Sequence, residues 1–289
     1  MKHLKLFVEL TRLSKPIGFM LLFWPCIWGL TLVYNFNGEI VTYIKYSILF
    51  FLGSVMMRSA GCIVNDISDQ NFDKKVNRTK NRPIASGKIS ALLAWFYTLI
   101  LCSIAFLILI NFNLFTIFLA LGSMPLAFTY PLMKRYTYWP QLFLGITFNY
   151  GLLLGWTSIS EELNIIPIIF YIGAIFWTLG YDTIYGFQDI KDDEIIGLKS
   201  TSIKFKKKPS IFLILCYLIT IICLVTIGIF MKFNYIFYIF LIIPTFHLFF
   251  FQLKNLNVDN PENCLKIFKS NNATGFLIYI NILLGKIFV

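Results

Sequence analysis

Uninterrupted apolar stretches of about 17–25 residues recur along this chain, and each is long enough to cross a bilayer core. They lie at approximately 17–34, 40–64, 89–110, 112–132, 139–159, 165–181, 210–231, 233–253 and 273–289. None shows the period-two alternation of a membrane β-barrel strand, so the stretches predict helices. The sequence therefore predicts an all-α integral membrane protein. Its nine transmembrane helices would form a single domain over 1–289, with little mass outside the bilayer.

The basic residues are unevenly distributed between the loops that connect these spans. With the N-terminus in the cytoplasm, the N-terminal segment and the loops on that side contain 21 of the 25 Lys and Arg residues. This asymmetry is the positive-inside signal, and it predicts a cytoplasmic N-terminus. Topology and contact with the lipid bilayer then explain the net charge of +11, and nucleic acid is not an expected partner. The composition favours a bacterial inner membrane, and a mitochondrial inner membrane stays open as the alternative.

The acidic residues are concentrated in two cytoplasmic segments, 65–88 and 182–209, which contain eight of the 14 Asp and Glu residues. Each segment continues an apolar span, where carboxylates are costly and indicate a functional site. At about 100° per residue of helix, each segment presents its polar groups as a stripe on one face. The first stripe consists of Asn65, Asp66, Asp69 and Asp73. The second stripe consists of Asp182, Tyr185, Asp189 and Asp193.

Two carboxylate stripes on one side of a membrane protein repel each other unless they share divalent cations. Mg²⁺ suits them because it prefers oxygen ligands and is commonly held by one or two carboxylates together with substrate phosphates. Basic residues that can bind phosphate follow each stripe, including Arg78 and Arg82 after the first and Lys199 after the second. The combination predicts a site for Mg²⁺ and a diphosphate.

The number of apolar helices suggests what the diphosphate carries. A long isoprenoid tail would need an apolar groove open to lipid, with the diphosphate head at the cytoplasmic mouth. The halves 40–110 and 165–231 share one plan, an apolar helix followed by an acidic and then basic loop and another apolar helix. This weak internal duplication predicts that the two loops face each other across a central cavity.

Two long stretches resemble the signatures of the UbiA superfamily of intramembrane prenyltransferases. They are MRSAGCIVNDISDQNFDKKVNRTKNRPIASGKIS at 57–90 and YDTIYGFQDIKDDEIIGLKSTSIKF at 181–205. Shorter stretches, RLSKPIGFMLLFWPCIWGL, YPLMKRYTYWPQ and CLKIFKSNNATG, are similar to the branch that prenylates 4-hydroxybenzoate in ubiquinone biosynthesis. The likeness covers nearly the whole chain. It implies nine helices around a central cavity that cytoplasmic loops cap.

The resemblance also implies roles for individual residues. The residues expected to hold Mg²⁺ are Asn65, Asp66, Asp69, Asp73, Asp189 and Asp193, of which Asp69, Asp73, Asp189 and Asp193 are the expected catalytic residues. The residues expected to bind diphosphate are Arg78, Arg82, Lys134 and Lys199. Arg135 is the first candidate for the acceptor carboxylate, with the role of a positive-inside anchor as its alternative. Further acceptor candidates are Arg12, Tyr185 and Asp182.

The expected substrates are a polyprenyl diphosphate and 4-hydroxybenzoate, with the prenyl group transferred to the ring carbon ortho to the hydroxyl. Another aromatic acceptor, such as dihydroxynaphthoate or homogentisate, is the alternative within the enzyme class. A membrane transporter is the alternative from another class. Transporter sites commonly lie near the bilayer midplane, whereas these charges cluster at one surface.

Overall fold

The computed structural model describes residues 2–75 and 79–288, and every regular element in those ranges is helical. In chain order the helices are α1 (Lys2–Thr11), α2 (Ile17–Val33), α3 (Ile40–Ser68), α4 (Gln70–Asp73), α5 (Ala91–Leu109), α6 (Leu114–Thr129), α7 (Met133–Tyr136), α8 (Pro140–Ser160), α9 (Ile165–Gly186), α10 (Ile190–Ile196), α11 (Thr201–Lys204), α12 (Pro209–Phe230), α13 (Tyr235–Phe246) and α14 (Pro261–Ile287). A 3₁₀ turn, Tyr130–Leu132, links α6 to α7, and a π-helical segment, His247–Leu253, continues α13.

Polar side chains set where many of these helices begin. The caps whose side-chain oxygen accepts a hydrogen bond from a backbone N–H of the first turn are Ser90, Asn113, Asn164, Ser200, Asn234 and Asn260. Such a bond satisfies an N–H group that has no partner within the helix. Proline begins α8 and α12, at a position where its missing N–H costs nothing. The apolar runs thus become separate helices because capping residues lie between them.

The protein is an integral membrane protein, although the predicted count of nine spans is not confirmed. Within the described residues, seven helical segments are long and apolar enough to cross a bilayer. They are α3, α5, α8, α9, α12, the α6–α7 segment and the α13–π segment. Helix α2 is apolar but has only 17 residues, and α14 carries several polar residues in its first half. Each of the nine predicted stretches nevertheless contains a helix.

Helix α2 lies at the centre of the bundle and packs against α3, α8 and α14. It crosses α8 with the two backbones in contact. A Cβ atom at Gly29 would lie 2.0 Å from the carbonyl oxygen of Leu152. A Cβ atom at Gly155 would lie 2.1 Å from the carbonyl oxygen of Cys26. Small residues at the crossing allow the two backbones to come this close. In lipid, such close packing holds helices together, because the hydrophobic effect does not drive them to associate.

Helices α5 and α6 diverge from each other. Helix α5 packs on α3 and α6 packs on α8, but α5 and α6 hardly touch, although only four residues connect them. An apolar cavity of about 390 Å³ lies in this part of the molecule. Its lining includes Phe106 of α5 and Leu121 and Phe128 of α6, all of which are exposed on the outer surface. The cavity therefore opens towards the lipid between α5 and α6.

A small second core fixes the loop that follows the first acidic segment. Leu10 of α1, Ile63 of α3 and Ile84 and Ile89 of the loop are all buried in it. Because these side chains leave the lipid and water together, the loop is held against α3 rather than extending into the cytoplasm. The second core thereby positions Arg82 next to the polar end of α3.

Candidate active site

The first acidic segment bends at Asp69. Helix α3 ends at Ser68, and α4 begins at Gln70 with Asp69 between them. Helical hydrogen bonding continues through the bend, because the N–H of Asp69 donates to the Asn65 carbonyl at 2.9 Å and that of Asp73 to the Asp69 carbonyl at 2.8 Å. The three aspartates of the stripe are buried. The end of α3 and the start of α4 therefore bring three buried carboxylates together.

Arginines bind two of these carboxylates. An Nη2 of Arg12 lies 2.5 Å from Oδ1 of Asp66, and Nη1 of Arg82 lies 3.2 Å from the same oxygen. The same Nη1 of Arg82 lies 2.9 Å from Oδ2 of Asp73. Arg82 thus bridges two carboxylates of the stripe, and Arg12, which directly follows α1, contacts Asp66. The structure places Arg12, an acceptor candidate from the sequence, on an aspartate instead of in a cavity wall.

Asp69 has a lysine partner and one carboxylate oxygen left over. Its Oδ2 accepts a hydrogen bond from Nζ of Lys134. Its buried Oδ1 has no hydrogen-bond partner within the described residues. Burial raises the pKa of the Asp69 carboxyl above its ordinary value, and the charge of Lys134 acts in the opposite direction. A buried carboxylate oxygen without a partner is costly unless a ligand or ion occupies its vicinity.

The second acidic segment differs from the prediction of one continuous stripe. Helix α9 ends at Gly186, and α10 begins only after Asp189. Asp182 and Tyr185 therefore belong to α9, whereas Asp193 belongs to α10. Close packing of α11 accompanies the end of α9, because a Cβ atom at Gly186 would lie 2.3 Å from Oγ of Ser202. After the break, α11 packs against α9, and α10 packs against α11.

The two acidic segments share a polar cavity of about 230 Å³. Predicted site residues in its wall are Asn65 from the first segment, Asp182, Tyr185 and Asp193 from the second, and Lys134 and Lys199 beside them. The backbone N–H of Lys199 donates to the carbonyl of Lys134 at 2.9 Å, which holds the two lysines together. The cavity therefore combines carboxylates, an amide and two cations from parts of the chain more than a hundred residues apart.

Arg135, another predicted basic residue, makes its contacts at the end of α3. Arg135 donates from Nη2 to the carbonyl oxygen of Ser68 at 2.5 Å, and its guanidinium lies over the ring of Phe72 at 5.2 Å. It lines neither cavity and satisfies the end of α3 instead. Arg78 lies outside the described residues.

Arg58 is a residue to which the sequence analysis gave no role. It lies within α3, ten residues before the end of that helix, and lines the apolar cavity. Its guanidinium lies over the ring of Phe148 at 5.4 Å, and it is near enough to Asp182 to interact electrostatically. Its buried Nε has no hydrogen-bond partner in the described part of the chain. The available signal was its position, because an ionisable residue inside a span indicates function.

Tyr130 joins the two cavities, since it lines both the polar and the apolar one. The site thus consists of a charged compartment at the end of α3 and α9 and an apolar compartment that opens to lipid. A molecule with an anionic head and a long apolar tail would fit this arrangement, with its junction near Tyr130.

The described residues fit Mg²⁺ when a ligand supplies further oxygens. Among them, no three His, Cys, Asp or Glu side chains come together as a ready metal centre. The cavity and its surroundings supply carboxylate and amide oxygens, and Asp69 keeps one buried oxygen unpaired. Magnesium is usually bound through one or two carboxylates together with substrate phosphates, so this donor set is suitable.

Comparison with known proteins decides the family. The profile of the UbiA prenyltransferase family matches residues 22–279. The chain belongs to the UbiA prenyltransferase family. It is 40% identical over 287 residues to the mitochondrial 4-hydroxybenzoate polyprenyltransferase of Bos taurus, which covers 99% of this chain and 76% of the relative. It is 38% identical over 290 residues to 4-hydroxybenzoate geranyltransferase 2 of Lithospermum erythrorhizon, with coverage of 99% and 92%.

Solved structures confirm the helical fold expected from the two signatures. The apo structure of a UbiA homolog from Aeropyrum pernix K1 gives a TM-score of 0.76 at 21% identity, covering 92% of this chain and 97% of that one. A UbiA homolog from Archaeoglobus fulgidus bound to GPP and Mg²⁺ gives a TM-score of 0.70 at 17% identity, covering 96% and 99%. This UbiA family member is therefore an intramembrane prenyltransferase in fold and family.

Proposed function

We propose that this protein is a Mg²⁺-dependent 4-hydroxybenzoate polyprenyltransferase of ubiquinone biosynthesis. It transfers a polyprenyl group from polyprenyl diphosphate to the ring carbon ortho to the hydroxyl of 4-hydroxybenzoate, giving 3-polyprenyl-4-hydroxybenzoate and diphosphate. The observation that carries the proposal is the pair of cavities that meet at Tyr130. The names of the similar proteins from Bos taurus and Lithospermum erythrorhizon support 4-hydroxybenzoate as the acceptor.

The diphosphate head binds in the polar cavity. Asn65 and Asp193 line this cavity and would hold Mg²⁺. Asp66, Asp69, Asp73 and Asp189 are the further side chains proposed to hold it. When bound, Mg²⁺ would neutralise charge on the diphosphate and make it a better leaving group. Lys134 and Lys199 are in the cavity wall, where their ammonium groups can stabilise the charge that develops as diphosphate departs. Arg82 and Arg78 are the further cations proposed to bind the diphosphate.

The prenyl tail lies in the apolar cavity. On α3 the lining runs from Val64 to Leu49, which is about 22 Å of helix at 1.5 Å per residue. The inner end is formed by Phe50 and Phe112, whose ring centroids are 4.7 Å apart. Tails that exceed the cavity leave through the opening between α5 and α6, where lipid surrounds them.

The acceptor binds between the two cavities, with its carboxylate on Arg58. This arginine lines the cavity and has an unpartnered Nε, whereas Arg135 is engaged with Ser68 and Arg12 with Asp66. Within the described residues, no carboxylate forms an ion pair with Arg58. The geometry therefore favours Arg58 over the two arginines that the sequence suggested.

The reaction then proceeds by substitution at the allylic carbon. The bond between that carbon and the diphosphate oxygen breaks, and the electron pair leaves with diphosphate. The ring carbon ortho to the hydroxyl forms the new bond to the allylic carbon. The ring proton passes to a carboxylate of the polar cavity, where Asp182 and Asp193 lie. Tyr185, in the same wall, orients the phenol end of the acceptor. Holding both substrates in register supplies much of the acceleration.

The membrane and orientation form a separate part of the proposal. We infer a bacterial inner membrane with a cytoplasmic N-terminus, and the mitochondrial inner membrane is the alternative that the animal relatives suggest. The excess of basic residues on the side of the two acidic segments supports this orientation. Reporter fusions test this orientation. At the N-terminus, a reporter that works only in the cytoplasm should be active, and a reporter that works only outside the cytoplasm should be inactive.

The experiment that tests the function uses the purified protein in lipid nanodiscs. It receives a long-chain polyprenyl diphosphate and an equimolar mixture of labelled 4-hydroxybenzoate, homogentisate and dihydroxynaphthoate, with Mg²⁺ or with EDTA. We expect a lipid-extractable product from 4-hydroxybenzoate alone, and none with EDTA. A product from another acceptor only would refute the assignment of the acceptor. Absence of any product from folded protein would refute a prenyltransferase and favour transport.

A further inference from the structure

The stretch RLSKPIGF contains a glycine whose presence the backbone does not require. Gly18 is the second residue of α2, and it lies in the helical region that any L-residue adopts. The positive-φ glycines in the described residues are Gly87 and Gly197. A helical glycine costs about 1 kcal/mol relative to alanine, so its retention needs another reason. That reason must come from the atoms that face it.

The atoms that face Gly18 belong to the guanidinium of Arg58. A Cβ atom on Gly18 would lie 2.7 Å from Nε and 3.4 Å from both Cζ and Nη2 of Arg58. Among the described glycines, Gly18 is the one whose added Cβ would meet a charged group. The guanidinium therefore lies directly against the start of α2, in space that a methyl group would fill.

Arg58 is held at this place from several sides. Gly18 of α2 contacts one part of the guanidinium, and Phe148 of α8 lies within cation–π distance at 5.4 Å. Asp182 of α9 attracts it electrostatically. The guanidinium can therefore keep this position only while α2 has no side chain at position 18.

We propose that Gly18 is a positioning residue for acceptor recognition. Its missing side chain lets the guanidinium of Arg58 lie against α2 and face the cavity, where it binds the carboxylate of the aromatic acceptor. This inference rests on the proposed function, since it assigns Arg58 the acceptor anion. A Cβ at position 18 would displace the flexible end of Arg58, not the backbone, so the fold should survive while recognition is lost.

The test measures recognition of the acceptor carboxylate in nanodisc-embedded Gly18→Ala. Two acceptors are compared, 4-hydroxybenzoate and its uncharged methyl ester. We expect the KM for 4-hydroxybenzoate to rise about 10- to 100-fold, as loss of one hydrogen bond to a charged group predicts. The KM for the polyprenyl diphosphate and the kcat/KM for the methyl ester should stay near wild-type values. A general structural defect would lower all of these together.

A double-mutant cycle links the effect to Arg58. Arg58→Ala should reproduce the change in KM, and Gly18→Ala should add nothing in the Arg58→Ala background, because the displaced group is then absent. Gly122→Ala is the matched control, since a Cβ there meets nothing within 4 Å. Gly18→Ser provides a second variant with the same expected loss, and thermal melting confirms that each variant is folded.

The outcomes separate this inference from the proposed function. If the wild-type protein does not prenylate 4-hydroxybenzoate, the proposed function fails and the inference fails with it. If wild type is active and Arg58→Ala loses carboxylate preference while Gly18→Ala keeps it, the inference alone is overturned. Additive losses in the double variant would also overturn it.

Discussion

Replacement of Gly155 by alanine should separate α2 and α8, both of which line the apolar cavity. The added Cβ would lie 2.1 Å from the Cys26 carbonyl oxygen and 2.8 Å from the Leu30 backbone nitrogen. Ordinary contact requires about 3.5 Å, so α2 and α8 must move apart by more than about 1 Å. Neither neighbouring atom belongs to a side chain that could rotate away. The clash is therefore expected at the upper end of the overpacking range, about 3 kcal/mol.

The net effect is smaller because alanine is the better helix former. Replacing a helical glycine by alanine contributes about 1 kcal/mol, which leaves a net loss of about 2 kcal/mol in the free energy of unfolding. The assay is thermal unfolding in detergent, followed by a thiol-reactive dye. It reports unfolding because Cys26, Cys62, Cys216, Cys223 and Cys264 are buried in the folded protein.

The matched control is Gly122→Ala on α6, where the new Cβ would meet nothing within 4 Å. This variant should gain only the stabilisation that comes from the higher helix propensity of alanine, so it should melt at or above the wild-type temperature. Gly155→Ala should melt several degrees lower. Equal melting temperatures for the two variants would refute the close crossing of α2 and α8.

Two further predictions concern the charged compartment and the buried polar network. Lys134→Gln should lower the rate and move the acid limb of the pH–rate profile to higher pH. The reason is that burial raises the pKa of Asp69, and the variant removes the cation that opposes this rise. An acid limb at the wild-type pH would contradict the pairing of Lys134 with Asp69. Gln252→Leu should destabilise the protein by about 1–3 kcal/mol in the thiol assay. It removes the oxygen that accepts a hydrogen bond from the Tyr217 hydroxyl and the N–H that donates to Asn271. An unchanged melting temperature would show that these hydrogen bonds do not stabilise the protein.

The sequence predicted the helical elements well because each is a long apolar run between polar breaks. The predicted count of nine spans is not confirmed, because α2 is short and α14 carries polar residues, and by length and composition seven segments of the described residues qualify as spans. Periodicity alone predicts one helix for the second acidic segment, because it does not show that α9 ends at Gly186 and that α10 begins after Asp189.

The sequence predicted which kinds of residue lie at the candidate site, but not which charged groups contact each other. Acidic and basic residues in two segments indicated a diphosphate site, and both segments do line one cavity. The partners of individual charges depend on contacts between distant parts of the chain. The contact of Arg12 with Asp66 spans 54 residues, and no local pattern encodes it. The position of Arg58 within a span is a signal of function, but only the folded bundle shows that it faces a cavity.

The central claim is that both acidic segments act in one prenyl-transfer site. Its most direct test is the initial rate of 3-polyprenyl-4-hydroxybenzoate formation by wild type, Asp69→Asn and Asp189→Asn in matched nanodiscs with Mg²⁺. If both segments act in this site, wild type forms product and neither variant does, while all three proteins remain folded. A near-normal rate in either variant would contradict it, because that segment would then be dispensable for the reaction.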